Sequence, residues 1–243
     1  MSSVEYTVSA VRKRAMISSL PVLMGYVAMG FAAGVLLSTR GETDNPVCWG
    51  ILTSMTSISG TLQFLFPGWF RTGIPLTEVV LLTFCINFRY AMYGFSLLGK
   101  FRDIPWWKRC YLVWTLTDET YALEVGSPYP PGPANSRYCL TLAMLDHLYW
   151  ITGVAAGAFA GSRLPFSGNG VEFAMTALFL VILTDQCREK NNRISALIGG
   201  TAAIICLLLF GASKMLIPTM ILMITVFLLF RKKLDPARKE KNV

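Results

Sequence analysis

Three charged residues occupy positions that a chain of this kind has reason to avoid. Arg89 lies inside the apolar run 77–98, and Asp118 and Glu119 lie inside the run 106–125. A charge at the centre of a lipid-embedded helix costs about 2.5–3.5 kcal/mol on insertion scales, so such residues persist where they face a bundle interior or a watery cavity. The chemistry open to them is recognition. A guanidinium grips a carboxylate through paired donors, and a carboxylate takes an ammonium group or carries a proton. Arg89 precedes Lys100 by eleven residues, which is about 16 Å of helix at about 1.5 Å per residue. Asp118 follows Lys108 by ten, or about 15 Å. The short basic connection makes the two helices antiparallel neighbours, with both charges near the midplane. There Arg89 can meet Asp118 and Glu119, each offsetting the other's desolvation. A purely structural ion pair is the competing reading.

Polar neighbours extend this site. Tyr93 and Ser96 fall on the Arg89 face at i+4 and i+7, and Tyr111 and Thr115 fall on the Asp118 side. Asn87 points towards another helix. Ser59, Gly60 and Gln63 belong to a run crowded with Thr53, Ser54, Thr56, Ser57 and Thr61. Ser59-Gly60 and 168–170 are places where a helix can break or end, presenting terminal groups to a substrate. Glu78 suits the dipole of a helix start. Asp146 and His147 read as a cap and a solvated neighbour at an interfacial helix start, a proton-shuttle role for the single histidine being the alternative. Trp106, Trp107, Tyr149 and Trp150 read as interfacial anchors.

Other chemistries find little support. The chain has no P-loop and no GxSxG or HExxH, and nothing local favours an aspartyl dyad of Asp118 and Asp185. The expectation is therefore not an enzyme. One histidine and six scattered cysteines without a CxxC predict no metal, no cofactor and no disulfide framework. The net charge of +8 gathers at the N-terminus, at 100–109, at 188–193 and in the tail. Basic segments beside spans set orientation, so the expected partner is the lipid bilayer, with the tail touching anionic lipid, and not nucleic acid.

The elements that must position these residues are helices. With 53% hydrophobic and 15% charged residues, the chain reads as an all-α, polytopic membrane helix bundle. Eight segments of helical length are expected, at 15–37, 47–66, 75–98, 106–125, 138–161, 171–187, 194–211 and 215–231. The first is too long for a signal-peptide core, and the proline-rich stretch 126–137 reads as a stiff non-helical linker. If all eight crossed fully, the basic loop 100–109 would fall outside. If 47–66 and 171–187 are re-entrant or broken helices, every basic cluster and both termini become cytoplasmic. The run Gly30-Phe-Ala-Ala-Gly34 matches Gly153-Val-Ala-Ala-Gly157 at an offset of 123, and Gln63 matches Gln186. This points to inverted repeats over 15–98 and 138–211 within a single transporter domain, 1–243, ending in a basic tail at 232–243. Small residues that let helices pack closely produce the same pattern.

Several motifs resemble those of one family. Thr83-Phe-Cys-Ile-Asn-Phe-Arg89-Tyr-Ala-Met-Tyr93-Gly94-Phe-Ser96-Leu is similar to the Arg-His-x-x-Tyr-Gly-x-Ser-Leu signature of the AzlC family. Leu116-Thr-Asp118-Glu119-Thr-Tyr-Ala is similar to its Leu-Thr-Asp-Glu-x-Phe-Ala, and Ser59-Gly60-Thr-Leu-Gln63-Phe64 to its Ala-Gly-Ala-Ser-Gln-Phe. Leu20-Pro21, Gly153–Gly161 and Ala174–Leu180 also fit, so the resemblance covers nearly the whole chain in order. It implies the large subunit of a branched-chain amino acid exporter of the bacterial inner membrane. It further implies a small hydrophobic AzlD-type subunit and export of valine, leucine, isoleucine and in some members methionine, driven by an ion gradient; a higher oligomer is a separate expectation that the resemblance does not itself imply. Two departures stand out. Tyr90 replaces the family's histidine, and Thr61 and Leu62 replace two small residues. A small-solute channel and a membrane-embedded enzyme or scaffold are the rival readings.

Overall fold

An apolar run forms one continuous helix only where its polar residues can be satisfied within it. A computed structural model describes residues 6–163 and 193–211 continuously, with isolated positions between 180 and 229. The helices are α1 (Val8–Arg40), α2 (Pro46–Thr56), α3 (Gly60–Thr72), α4 (Leu76–Leu97), α5 (Trp106–Trp114), α6 (Asp118–Val125), α7 (Pro133–Arg163) and α8 (Arg193–Phe210). Four of them, α1, α4, α7 and α8, are long and apolar enough to cross a membrane. The chain is an all-α membrane helix bundle. It divides into two compact units, Met1–Phe173 and Ala174–Val243. The first unit holds α1 to α7 and every candidate site residue, and the second holds α8.

Within the first unit, α1 and α7 cross where glycines replace side chains. A Cβ on Gly34 would lie 2.9 Å from the Gly157 carbonyl carbon, and one on Gly153 would lie 3.0 Å from the carbonyl oxygens of Tyr26 and Val27. These are the two runs that match in sequence, and the helices carrying them end at the same offset, at Arg40 and Arg163. Close backbone approach is what small residues permit in a setting where apolar surface alone gives helices no preference for each other over lipid. The segment 171–187, with Asp185 and Gln186, and the break at 168–170 lie wholly or mostly outside the described residues.

Towards the start of α1 a core forms from Val11, Ala15, Leu97, Phe101, Ile104, Leu112, Leu116, Tyr138 and Leu142. The turns between α4 and α5 are tied down by charge. Arg109 donates to the carbonyls of Arg102 and Ile104, both at 3.0 Å. Lys100 donates to the carbonyls of Glu124 and Val125, closing the C-terminus of α6. On α4, Leu76, Val80, Leu81, Phe84, Phe88, Met92 and Phe95 stay exposed, as an apolar outer face in a bilayer does.

Three sequence expectations need correction. The run 106–125 is two short helices, α5 and α6, with a break at 115–117 where Thr117 is extended. The linker 126–137 is non-helical only to 132, because Pro133 opens α7, a position that requires no backbone N–H donor. That earlier start places Asp146 and Trp150 deep in the helix, where they are buried at 2% and 3% exposure. Asp146 is therefore not a helix cap, the half-buried His147 is not a solvated neighbour, and Trp150 is not an interfacial anchor. The polar run 47–66 is broken, at 57–59, and its second half continues as α3 to Thr72.

Candidate functional site

The site is built from two helix breaks and the middle of α4. In α2 the hydroxyls fold back on their own helix: Thr53 donates to the Trp49 carbonyl at 2.7 Å, Ser54 to Gly50 at 2.6 Å, and Thr56 to Leu52 at 2.8 Å. Such back-bonding satisfies polar atoms within the membrane but weakens the helix ladder, and at Ser57 the backbone becomes extended. Gln63 straps the break by donating from Nε2 to the Thr53 hydroxyl at 2.8 Å. The Ser59 hydroxyl donates to Asn87 on α4 at 2.9 Å and does not cap α3. The first-turn N–H groups of α3 thus receive no partner from it, and they carry the positive end of that helix.

The second break has the opposite electrical character. Thr117 is the N-cap of α6 and accepts from the Thr120 N–H at 3.2 Å. Asp118 and Glu119 occupy the first turn, where the dipole favours carboxylates. Both breaks reach the same pair of rings. Gly60 lies over Trp150, Trp150 meets Tyr26 edge-on at 5.7 Å, and the Tyr26 hydroxyl is hydrogen-bonded to Thr117 and donates to Glu119 at 3.1 Å.

Between the breaks, Arg89 extends from the middle of α4. Its Nη1 lies 3.1 Å from Asp118 Oδ2. Its Nη2 donates to the Tyr90 hydroxyl at 3.1 Å, and its guanidinium lies 5.0 Å from the centre of the Tyr90 ring. The Tyr93 hydroxyl donates to the other oxygen of Asp118 at 2.8 Å. The Tyr93 ring stacks on Tyr121 at 4.2 Å, and the Tyr121 hydroxyl pairs with Ser96 at 2.8 Å. The Arg89 and Asp118 side chains are each 44% exposed. A charge on a helix long and apolar enough to cross a membrane, as Arg89 is on α4, is costly when its open side meets hydrocarbon and is satisfied when that side meets protein, water or solute.

The sequence-derived residues therefore fall into linked groups. Arg89, Asp118 and Tyr93 form one cluster, Ser59 and Asn87 join the first break to α4, and Gln63 spans that break beneath Gly60. Glu119 turns to Tyr26 rather than to Arg89. The sequence reading missed Tyr26, Thr117, Thr120 and Tyr121. Thr117 had left a trace: a threonine directly before two acidic residues is a helix-start pattern. Tyr26 had left none, since it is one aromatic residue in a long apolar run.

Broken helices around a charged, half-open centre define a polytopic membrane transport protein. A family model described as AzlC protein matches residues 21–164, which include both breaks, α4 and all of α7. The chain belongs to the AzlC family. It is 33% identical to an uncharacterized membrane protein of Helicobacter pylori over 219 residues, covering 89% of this chain and 93% of the relative. It is 29% identical to the branched-chain amino acid transport protein AzlC of Bacillus subtilis, covering 90% and 85% respectively. The inner membrane protein YgaZ of Escherichia coli is 24% identical over 76% of this chain and 78% of its own length. No solved structure matches the chain.

Proposed function

We propose that this protein is the large subunit of a secondary transporter that exports branched-chain amino acids across a bacterial inner membrane. Its termini are cytoplasmic, and a small AzlD-type membrane subunit completes it. The observation that carries the reading is the pair of Arg89, midway along α4, with Asp118 at the start of α6, Tyr93 holding the carboxylate from the other side. An aliphatic amino acid presents a carboxylate, an ammonium group and an apolar side chain. Its carboxylate takes the place of Asp118 on Arg89 or binds at the start of α3, where N–H groups and helix dipole favour an anion. Its ammonium group takes the place of Arg89 on Asp118. A zwitterion inserted into an existing ion pair satisfies both partners at once, so neither charge is left unpaired. The name of the Bacillus subtilis relative supports the substrate class. Thr61 and Leu62, beside Gln63, add bulk near the first break and are expected to bias the choice among valine, leucine, isoleucine and methionine.

The test is efflux of labelled valine from cells expressing both subunits. Arg89→Ala and Asp118→Asn are expected to abolish efflux while the protein still reaches the membrane. Unchanged efflux from both variants rejects the site. Saturable export against a gradient identifies a carrier, and unsaturated flux that only follows the gradient identifies a channel.

A further inference from the structure

From the hydrogen-bond chain behind the charged cluster we infer that Tyr26, Thr117 and Thr120 form a proton relay between Glu119 and Asp146, and that Asp146 is the carboxyl group through which proton movement is coupled to transport. The inference rests on the carrier reading above and assigns a coupling site that is separate from the amino acid site. The chain of contacts is continuous. Tyr26 Oη donates its proton to Glu119 Oε2 at 3.1 Å and also contacts Thr117 Oγ1, so this link conducts only after the Tyr26 hydroxyl turns from Glu119 to Thr117. Thr117 Oγ1 donates to Thr120 Oγ1 at 3.1 Å, and Thr120 Oγ1 donates to Asp146 Oδ2 at 2.7 Å. One end is open, since Glu119 is exposed. The rest is closed: Tyr26, Thr117, Thr120 and Asp146 are exposed by 3%, 6%, 0% and 2%.

A second observation points to a proton acceptor. Asp146 Oδ1 is buried with no hydrogen-bond partner, and both carboxylate oxygens of the fully buried Glu124 are likewise unpartnered. An ionised carboxylate with a buried oxygen left unpartnered is costly in such surroundings, and binding a proton removes that cost. The groups facing Asp146 are accounted for as follows. Glu119 and Glu124 act on it electrostatically from α6, Tyr26 lies on α1, and His147 is next to it on α7 with Tyr111 of α5 at 3.2 Å. Lys100 acts on Glu124 from beyond the end of α4. No cation contacts Asp146 directly among the described residues.

The transfer balances without any further reactant. When Glu119 binds a proton, the Tyr26 hydroxyl turns from it towards Thr117, and Glu119 then gives its proton to Tyr26 Oη. Tyr26 passes its own hydroxyl proton to Thr117 Oγ1, Thr117 passes its proton to Thr120 Oγ1, and Thr120 passes its proton to Asp146. Each hydroxyl ends with one proton. Glu119 becomes a carboxylate, Asp146 becomes a carboxylic acid, and no electrons change hands. Rotation of the three hydroxyls resets the chain.

The test uses the full chain reconstituted in proteoliposomes with its small subunit. Two processes are compared: valine accumulation driven by a pH gradient, and valine counterflow without one. Asp146→Asn is expected to lose gradient-driven accumulation at least tenfold while keeping counterflow. Thr120→Val is expected to follow it, and Thr120→Ser, which retains the hydroxyl, to restore the wild-type response. Gradient-driven accumulation in Asp146→Asn equal to wild type overturns the relay, as does equal loss of both processes. Wild-type counterflow that ignores the pH gradient also overturns the relay but leaves the carrier reading standing. Absence of wild-type counterflow removes the carrier reading. A substrate-free measurement decides the proton acceptor in either case: the infrared absorption of protonated carboxyls should lose one component in Asp146→Asn, with Glu124 supplying what remains, and an unchanged spectrum overturns the assignment.

Discussion

Gly157→Ala tests the crossing on which the site is built. A Cβ at this position falls on the backbone of Phe31, 2.7 Å from its Cα and carbonyl carbon, well inside van der Waals contact. No rotamer change relieves the clash, because the atoms it meets are main chain. The helices must separate by a fraction of an ångström or more along the whole crossing, loosening the contacts of Gly34, Gly153 and Val154 together. Overpacking of this kind costs about 1–3 kcal/mol, and the rigid backbone obstacle places this case at about 2–3 kcal/mol. For a chain of this length that corresponds to a fall in melting temperature of roughly 4–12 °C. Gly99→Ala is the matched control, because a Cβ there meets nothing within 4 Å. Thermal scans of the detergent-solubilised protein, read as the monodisperse fraction at a fixed heating rate, compare the two variants with wild type. If Gly157→Ala melts with Gly99→Ala, within about one degree of wild type, the backbone contact between α1 and α7 is refuted.

Two further substitutions probe the charged cluster. Arg89→Lys keeps the charge but not the fork that reaches Asp118 and the Tyr90 hydroxyl together at 3.1 Å each. The half-saturation concentration for valine efflux should rise about tenfold, a loss of about 1.4 kcal/mol, with membrane levels unchanged. Tyr93→Phe removes the hydroxyl that donates to Asp118 at 2.8 Å but keeps the ring stacked on Tyr121. Hydrogen bonds to charged groups contribute about 1.5–3 kcal/mol, and the half-open site places this one at the lower end, so the same assay should again show a loss of about tenfold. Wild-type kinetics in that variant would mean that the carboxylate does not depend on the tyrosine.

Much of this arrangement could be read from residue types because membrane insertion makes each polar residue informative. Apolar runs marked α1, α4, α7 and α8, and the cluster of hydroxyls around Ser59 marked the first break. The meeting of Arg89 with Asp118 followed from counting helical rise on either side of a short basic loop. The second break escaped notice because Leu112, Val113, Trp114 and Leu116 carry the apolar run through it, while the threonine cap that ends it weighs little in composition. The depth of Asp146 and Trp150 was misjudged because the prolines before α7 read as linker, whereas Pro133 begins the helix and moves everything after it inward. Tyr26 became visible only through tertiary contact, 91 positions from Thr117. The second half of the proposed repeat is described at 138–163 and 193–211 and only at isolated positions between them, so the match of 47–66 to 171–187 stays a proposal.

The mutual neutralisation of Arg89 and Asp118 bears on how such a carrier responds to voltage. Moving one unmatched elementary charge through a membrane potential changes the energy by about 2.3 kcal/mol per 100 mV. A guanidinium and a carboxylate that balance each other cross that field as a dipole, and so do the same two groups with an electrically neutral amino acid between them. Neither the loaded nor the unloaded stroke then moves net charge by way of this site. In the proposed ion-coupled carrier, any electrical current that accompanies transport then comes from the coupled ion and not from the cargo, and reversal-potential measurements can count that ion without a correction for the amino acid.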